Sequence, residues 1–212
     1  MIIGDVRGKG LDAVGDAALV LGAFRAAAHQ EGALAGLAAY LETAVTPALE
    51  YPDGSRPGPG DAGESFVTAT VLDIPDHESV LHLVTCGHPP PLLVRGGRVA
   101  SLDVAHPAPP LGLGSLADAR PVAEVFAFAP GDIVLLYTDG VLEARDDAGV
   151  FYPLAERVGR WDGAGPHHLL ARLHDDLITH AAGGTLGDDA AMVAIQRLPS
   201  APVTSGPPLT GR

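Results

Sequence analysis

The chain has 212 residues, of which 47% are hydrophobic, so it can bury a substantial core as a single domain. The 13 basic and 26 acidic residues give a net charge of −13, which argues against nucleic acid or an anionic membrane as a partner. The single cysteine, Cys86, excludes an internal disulfide framework, and no apolar run reaches membrane-spanning length, so the sequence predicts a soluble cytoplasmic protein.

The N-terminal part of the chain predicts the end of a strand followed by two helices. Residues 1–5 are typical of a strand end. Leu11 to His29 favours helix, and apolar side chains occupy nearly every face of it, so we expect this helix to be largely buried. A second helix is predicted from about Ala33 to Leu49. It ends before the Pro- and Gly-rich stretch 51–60, which predicts a loop.

The middle of the chain predicts a series of strands joined by short turns. Gly96-Gly97 is a two-residue hairpin signal, and Pro130-Gly131-Asp132 predicts another turn. Because such short connections join neighbouring strands, we expect mostly antiparallel pairing. The predicted strands are Ser65 to Ile74, Val80 to Cys86, Pro91 to Arg95, Val99 to Leu102, Val122 to Phe128 and Ile133 to Thr138.

The C-terminal part predicts helices near Leu154 to Arg160 and Pro166 to His180, then a last strand from Ala190 to Arg197. Residues 199–212 are rich in Pro, Ser, Thr and Gly, which predicts a disordered tail after a domain at 1–198. The order of the elements favours an α+β fold, in which helices flank a central, mostly antiparallel β-sandwich.

Acidic residues lie at the ends of the most apolar runs. Asp5 and Asp139 each follow such a run, and Asp188-Asp189 precede one. If the first two runs are parallel strands and the third is antiparallel to them, all of these carboxylates lie on one sheet edge. Such a cluster repels itself unless cations lie within it, and Mg²⁺ or Mn²⁺ takes carboxylate, carbonyl and water oxygens. The pattern predicts a metal-dependent active site.

The segment Gly4 to Gly10 combines Asp5 with glycines and the cations Arg7 and Lys9, just ahead of a predicted helix. Glycines let a backbone approach a ligand closely, and a helix N-terminus favours anions. The alternative is an ordinary strand-to-helix turn, in which Asp5 caps the helix and Lys9 is solvated. A phosphate-binding P-loop is excluded, because the glycine spacing is one residue short and no Ser or Thr follows Lys9.

The other two acidic segments also have structural interpretations. Asp139-Gly140 between apolar runs is a hairpin-turn signal, and taken alone the turn is favoured, although a carboxylate at such a turn can still reach a metal. Asp188-Asp189 could be a solvated acidic turn. His88, which stands before three prolines, is interpreted as shaping a loop beside the site rather than as a metal ligand.

Taken in order, these segments resemble the SpoIIE-like branch of the PPM phosphatases, which are metal-dependent bacterial protein serine/threonine phosphatases. The resemblance covers about residues 1–197. It rests on Gly4 to Gly10, Phe66 to Ala69, Gly87 to Pro91, Thr138 to Ala144 and Asp188-Asp189.

The resemblance implies a β-sandwich flanked by helices, with two Mn²⁺ or Mg²⁺ ions in its site. Asp5 would bridge the ions, the backbone carbonyl of Val6 would add a ligand, and Asp139 and Asp188 would bind one ion with Asp189 beside them. A metal-activated water would then attack the phosphoryl group. Arg7, Gly8 and Lys9 are the candidates for binding the phosphate. The helix after Gly10 would be the regulatory switch helix of this family.

Substrates in this branch are commonly anti-anti-sigma (STAS-type) proteins that carry phosphoserine or phosphothreonine, which implies a role in stress or developmental signalling. A homodimer is compatible with the resemblance.

The chain departs from the family pattern in two places. Arg7 stands where other PPM branches have a histidine that serves as the general acid. In addition, the opening strands of the family, with their Gly-Gly-Asp motif, are absent before Met1. The alternative function is therefore an N-terminally truncated, catalytically weak domain that binds the same partner.

Overall fold

A computed structural model of the chain describes residues 1–50, 65–116, 120–161 and 163–199. The predicted loop at 51–60 and the predicted disordered tail from residue 200 onward lie outside this part. In the described residues the helices are α1 (Leu11–Ala27), α2 (Leu34–Glu50), α3 (Asp139–Glu143), α4 (Leu154–Gly159) and α5 (Pro166–His180). The strands are β1 (Ile2–Val6), β2 (Val67–Asp73), β3 (Val80–Cys86), β4 (Leu92–Arg95), β5 (Arg98–Ser101), β6 (Glu124–Ala127), β7 (Ile133–Tyr137) and β8 (Met192–Gln196).

The strands form two four-stranded sheets, and every strand pair within them is antiparallel. The first sheet has the order β1-β2-β3-β6, and the second has the order β5-β4-β7-β8. Gly96 and Gly97 connect β4 to β5 with φ angles of 55° and 77°, the left-handed geometry that a two-residue hairpin requires. The predicted α+β sandwich with antiparallel strands is confirmed.

Three apolar clusters hold the layers together. Leu81, Leu83, Phe128 and Leu136 belong to the cluster that contains buried residues of both sheets. A second cluster packs α1 and α2 against β2 and β3, and a third packs α3, α4 and α5 against β4 and β7. All five residues of β7 are buried, because this strand is covered on both faces. The layers therefore follow the order helices, sheet, sheet, helices. No helix in the described ranges is long and apolar enough to cross a membrane.

The prediction that α1 is largely buried is wrong. Only Val20 and Ala27 of this helix are buried, whereas Leu11 is 88% exposed and Val14 is 65% exposed. The apolar side chains of α1 are distributed around the whole helix, but α2 and the first sheet cover only one side of it. The opposite side therefore leaves large aliphatic side chains on the surface.

The predicted hairpin turn at Asp139-Gly140 is also wrong. Asp139 is the first residue of α3, and Thr138 precedes it as an extended N-cap residue. Val141 is fully buried in the cluster beneath α4 and α5, so the chain after β7 turns inward and forms a short helix. β7 pairs instead with β4, which precedes it, and with β8, which comes much later in the chain.

The acidic residues were predicted to share one sheet edge, and this prediction is wrong. β7 and β8 are antiparallel neighbours as expected, but β1 lies in the other sheet and pairs with β2. The predicted parallel relation of β1 and β7 within one sheet is therefore wrong. The carboxylates approach each other across the gap between the two sheets of the sandwich.

Candidate active site

A cavity of about 780 Å³ opens at one end of the sandwich, where the two sheets face each other. It is lined by the end of β1, the loop that follows it, the first turns of α1, the start of β2, the first residue of α3 and the loop before β8. All eight residues that the sequence singles out line this cavity: Asp5, Val6, Arg7, Gly8, Lys9, Asp139, Asp188 and Asp189.

Each carboxylate is placed by a different element. Asp5 lies in β1, where it pairs in register with Thr68 of β2. Asp139 begins α3 directly after β7, and Asp188 and Asp189 lie in the loop before β8. Two antiparallel strand pairs thus position the carboxylates. They are β1 with β2 in one sheet and β7 with β8 in the other.

Mutual repulsion and burial make Asp5 difficult to ionise. Burial is the largest cause, and the charges of Asp139, Asp188, Asp189 and Glu143 add to it, which together raise the pKa of Asp5 to about 6. Glu143, on the last turn of α3, therefore contributes to the negative field at Asp5. A site with this field favours either a bound proton or a bound cation.

Lys9 supplies a positive charge inside the cavity. Its Nζ lies 2.9 Å from Oδ1 of Asp188 and donates a hydrogen bond to the carbonyl of Gly187 at 3.2 Å. The ammonium group lowers the pKa of Asp188, and Asp188 in turn raises the pKa of Lys9. The Lys9 side chain is 69% exposed, so water screens the pair. Lys9 is thus largely solvated, as the alternative interpretation expects, but it also pairs with Asp188.

The loop between β1 and α1 depends on two glycines. Gly8 and Gly10 have φ angles of 113° and 88°, which side-chain-bearing residues rarely adopt. No atom lies within 4 Å of a Cβ built on either residue, so backbone conformation rather than space requires glycine here. Gly10 is the N-cap of α1 and no side chain caps this helix, which rules out the alternative in which Asp5 is the cap.

Arg7 lies against an aromatic side chain at the rim of the cavity. Its guanidinium carbon is 5.2 Å from the centre of the Phe66 ring, and its backbone N–H donates to the carbonyl of Phe66 at 3.0 Å. Phe66 also lines the cavity. Arg7, which stands where other PPM branches have a histidine, is therefore held next to the acidic residues by its contact with Phe66.

Two features of the site were missed at the level of sequence. A Cβ on Gly140 would lie 2.2 Å from the backbone carbonyl oxygen of Asp189, so glycine is required for the close approach of α3 to the loop before β8. Thr138 is buried, and its hydroxyl accepts a hydrogen bond from the N–H of Ala191 at 2.9 Å. These contacts set the separation of Asp139 from Asp189. The only sequence signals for them were a threonine and a glycine on either side of Asp139.

The SpoIIE profile, described as Stage II sporulation protein E, matches residues 1–198. The chain belongs to the SpoIIE family. This is a family of PP2C-type serine/threonine phosphatase domains, as the motifs in the sequence predicted.

Solved structures place this SpoIIE-family chain in the PP2C phosphatase fold. It is similar to the RsbU and RsbW domains of Rv1364c from Mycobacterium tuberculosis (22% identity, TM-score 0.68), covering 94% of this chain and 53% of that one. It is also similar to the SiaA-PP2C domain of Pseudomonas aeruginosa (16% identity, TM-score 0.72; 92% and 74% covered). A third is the PstP catalytic domain in complex with 2 manganese ions (19% identity, TM-score 0.59; 91% and 84% covered). The chain thus spans about half the length of the Rv1364c chain.

The donors in the SpoIIE-family cavity suit hard divalent cations. They are carboxylate and carbonyl oxygens, and Lys9 pairs with one of the carboxylates, that of Asp188. Within the described ranges, no three His, Cys, Asp or Glu side chains lie close enough together to hold an ion by themselves. Ions bound here would therefore retain several waters, as Mg²⁺ commonly does with one or two carboxylates.

Proposed function

We propose that residues 1–198 form a metal-dependent phosphatase domain that hydrolyses phosphoserine or phosphothreonine in a regulatory protein. The observation that carries the proposal is the convergence of Asp5, Asp139 and Asp188 on one cavity with Lys9 and Arg7 beside them. This arrangement offers carboxylates for cations next to side-chain cations for a phosphate. The membership of the chain in the SpoIIE family supports it.

In this proposal the carboxylate of Asp5 and the backbone carbonyl of Val6 would help to hold two divalent ions. Asp139 and Asp188, with Asp189 beside them, would supply further carboxylate ligands. The ions would supply a water whose pKa is lowered toward neutrality and would offset the negative charge of the phosphoryl group. PstP in complex with 2 manganese ions supports a two-ion site, whereas the choice between Mn²⁺ and Mg²⁺ stays open.

The side-chain cations would orient the phosphate. A guanidinium group suits the binding of phosphoryl oxygens and is a poor general acid, so Arg7 would bind the phosphate rather than protonate the leaving group. Its stacking on Phe66 fixes the position of the guanidinium group. Gly8 is exposed in the cavity lining between Arg7 and Lys9, so its backbone N–H would be a further donor to the phosphate.

We propose a phosphorylated anti-anti-sigma protein of the STAS type as the substrate. Support comes from the similarity to a protein that contains RsbU and RsbW domains. A cytoplasmic location and a homodimer remain predictions.

A second function, a weakly catalytic module that binds the same phosphoprotein, is favoured by one contact. Asp188 pairs with Lys9 through Oδ1, so an ion that binds this oxygen must displace the ammonium group. If the pair persists, the cavity binds a phosphoprotein without turnover.

The deciding experiment is hydrolysis of a phosphoserine peptide by the purified chain, with Mn²⁺ or with a chelator. We expect turnover that requires the ion and is lost in Asp139→Asn. The control is Asp175→Asn, which removes an exposed carboxylate on α5 outside the cavity and should retain activity. Peptide binding without turnover at any Mn²⁺ concentration would establish the binding module instead.

A further inference from the structure

The segment at residues 87–91 crosses from one sheet to the other beside the acidic cavity. It leaves β3 in the first sheet and enters β4 in the second. Gly87 pairs with Ala69 of β2 in an isolated parallel bridge, and the hydroxyl of Tyr137 in β7 donates to the carbonyl of Pro90 at 2.8 Å. The crossing therefore contacts both strand pairs that carry the carboxylates.

His88 is the buried polar side chain of this crossing, at 5% exposure. Its Nδ1 lies 2.9 Å from the hydroxyl of Thr68, and that hydroxyl lies 3.4 Å from the backbone carbonyl of Asp5. Thr68 is also the register partner of Asp5. One ring nitrogen of His88 is thus linked to the strand pair that positions Asp5.

Groups of the second sheet and of α3 also affect the ring of His88 electrostatically. The backbone carbonyl of Tyr137 and the charge of Asp139 both act on it and raise its pKa, but burial is the larger effect and lowers the pKa overall. The ring is therefore neutral near pH 7 and contributes hydrogen bonds rather than charge. Nε2 is buried and makes no direct hydrogen bond to any described residue.

We propose that His88 is a positioning residue that fixes the strand pair of Asp5 relative to the strand pair of Asp139, and thereby sets the metal affinity of the site. The inference rests on the proposed function, since it concerns the ions bound between those two carboxylates. It follows because Asp5 lies in the first sheet and Asp139 directly follows β7 of the second, so no backbone ladder determines their separation. The buried His88 side chain contacts the first sheet through Thr68, and its segment is bonded to the second sheet through Pro90 and Tyr137, so it can do so. Groups of this kind, which orient ligands without binding the ion, typically change metal affinity by about 10-fold to 100-fold when removed.

The test is Mn²⁺ binding by calorimetry at a temperature at which circular dichroism shows every variant to be folded. We expect His88→Ala to weaken Mn²⁺ binding by about tenfold or more. His88→Asn should retain most of the affinity, because its side-chain amide carries both a donor and an acceptor and can replace Nδ1 as the partner of Thr68. The matched control is Leu173→Ala, which opens a cavity among the helices on the other side of the second sheet and should lower stability without changing Mn²⁺ binding.

A double-mutant cycle with Thr68→Val tests the route of the effect. If His88 acts through Thr68, the double variant should bind Mn²⁺ no more weakly than His88→Ala alone. Any of three outcomes would overturn the inference. They are an unchanged Mn²⁺ affinity in His88→Ala, an equal loss of Mn²⁺ affinity in Leu173→Ala, and fully additive losses of Mn²⁺ affinity in the double-mutant cycle. Should His88→Ala fail to fold, Thr68→Val alone must still weaken Mn²⁺ binding for the inference to stand. Failure of the unmodified chain to bind Mn²⁺ would instead refute the proposed function.

Discussion

The ammonium nitrogen of Lys9 lies 2.9 Å from Oδ1 of Asp188, and this ion pair joins the loop before α1 to the loop before β8. Each loop carries part of the proposed metal site. Lys9 thus contacts one of the two carboxylate oxygens with which Asp188 can bind an ion. The same ammonium group can pair with Asp188 or meet a phosphate, but a bound ion at Asp188 would repel it.

We expect Lys9→Met to strengthen Mn²⁺ binding, because the ion no longer has to displace an ammonium group from Asp188. The same change should weaken the affinity for inorganic phosphate, since one cation of the cavity is lost. Calorimetric titrations with Mn²⁺ and with phosphate measure both effects. Arg25→Met is the control, because it removes one positive charge from the exposed last turn of α1, outside the cavity. Mn²⁺ affinity in Lys9→Met that does not exceed that of the control would contradict the competition.

The raised pKa of Asp5 predicts how stability depends on pH in the absence of metal. Its pKa of about 6 in the folded chain exceeds the ordinary value of 3.8, so the folded state binds the proton more tightly than the unfolded state. The protonated group carries no penalty at low pH, and stability is lost as the pH rises from about 4 through about 6. Above pH 6, Asp5→Asn should therefore raise the melting temperature in chelator, whereas Asp175→Asn should not.

Bound Mn²⁺ should reverse the dependence of stability on pH. The ion binds ionised Asp5, so its affinity should increase as the pH rises through about 6, and binding below that pH should release a proton. Calorimetry in buffers with different ionisation enthalpies measures the released proton. A melting temperature in chelator that rises between pH 4 and pH 7 relative to Asp5→Asn would contradict the assignment of the shift to Asp5.

The sequence predicted the elements well and the site only in part. Each predicted strand and helix is present with bounds within two residues, because apolar periodicity and turn glycines mark them directly. All the predicted site residues line one cavity. They could be predicted together because their motifs occur in the order of a known family. The sheet assignment of β1 could not be deduced, since an apolar run does not show which strand it pairs with. The burial of α1 could not be deduced either, because composition does not show how much of a helix its neighbours cover.

The close approach of Gly140 to Asp189 predicts that a side chain at position 140 would clash with the loop before β8. A Cβ at this position would lie 2.2 Å from the carbonyl oxygen of Asp189, so Gly140→Ala must push one of the two segments away. We expect a loss of about 1 to 3 kcal/mol in the free energy of unfolding, together with weaker Mn²⁺ binding, because Asp139 and Asp189 separate. Chemical denaturation and calorimetry measure the two effects.

Gly159→Ala is the matched control for this change. A Cβ at Gly159, the exposed last residue of α4, would meet its nearest atom at 3.8 Å, which is ordinary contact. It should therefore leave both stability and Mn²⁺ affinity nearly unchanged. If Gly140→Ala behaved in the same way, the close approach would have no role in holding the site.

Asp132 and Arg95 form an ion pair that should stabilise the fold without affecting the site. The Asp132 side chain is 4% exposed and accepts hydrogen bonds from Arg95 Nε at 2.9 Å, Arg95 Nη2 at 2.6 Å and the N–H of Ala129 at 2.6 Å. These bonds hold the turn between β6 and β7 against β4. Asp132 precedes β7, whereas Asp139 follows it, so the pair lies at the opposite end of the strand from the cavity.

We expect Asp132→Ala to lower the free energy of unfolding by about 2 kcal/mol, since Arg95 is half exposed and can turn to water while the N–H of Ala129 loses its acceptor. Arg95→Ala should cost at least as much, because it leaves a buried carboxylate without its cation. Glu156→Ala, which breaks the exposed pair with Arg160 on α4, should cost little. Mn²⁺ affinity should be the same in all three variants, because packing at the far end of β7 does not set the separation of Asp5 from Asp139. A loss of Mn²⁺ affinity in Asp132→Ala that matches its loss of stability would show instead that the whole length of β7 positions the site.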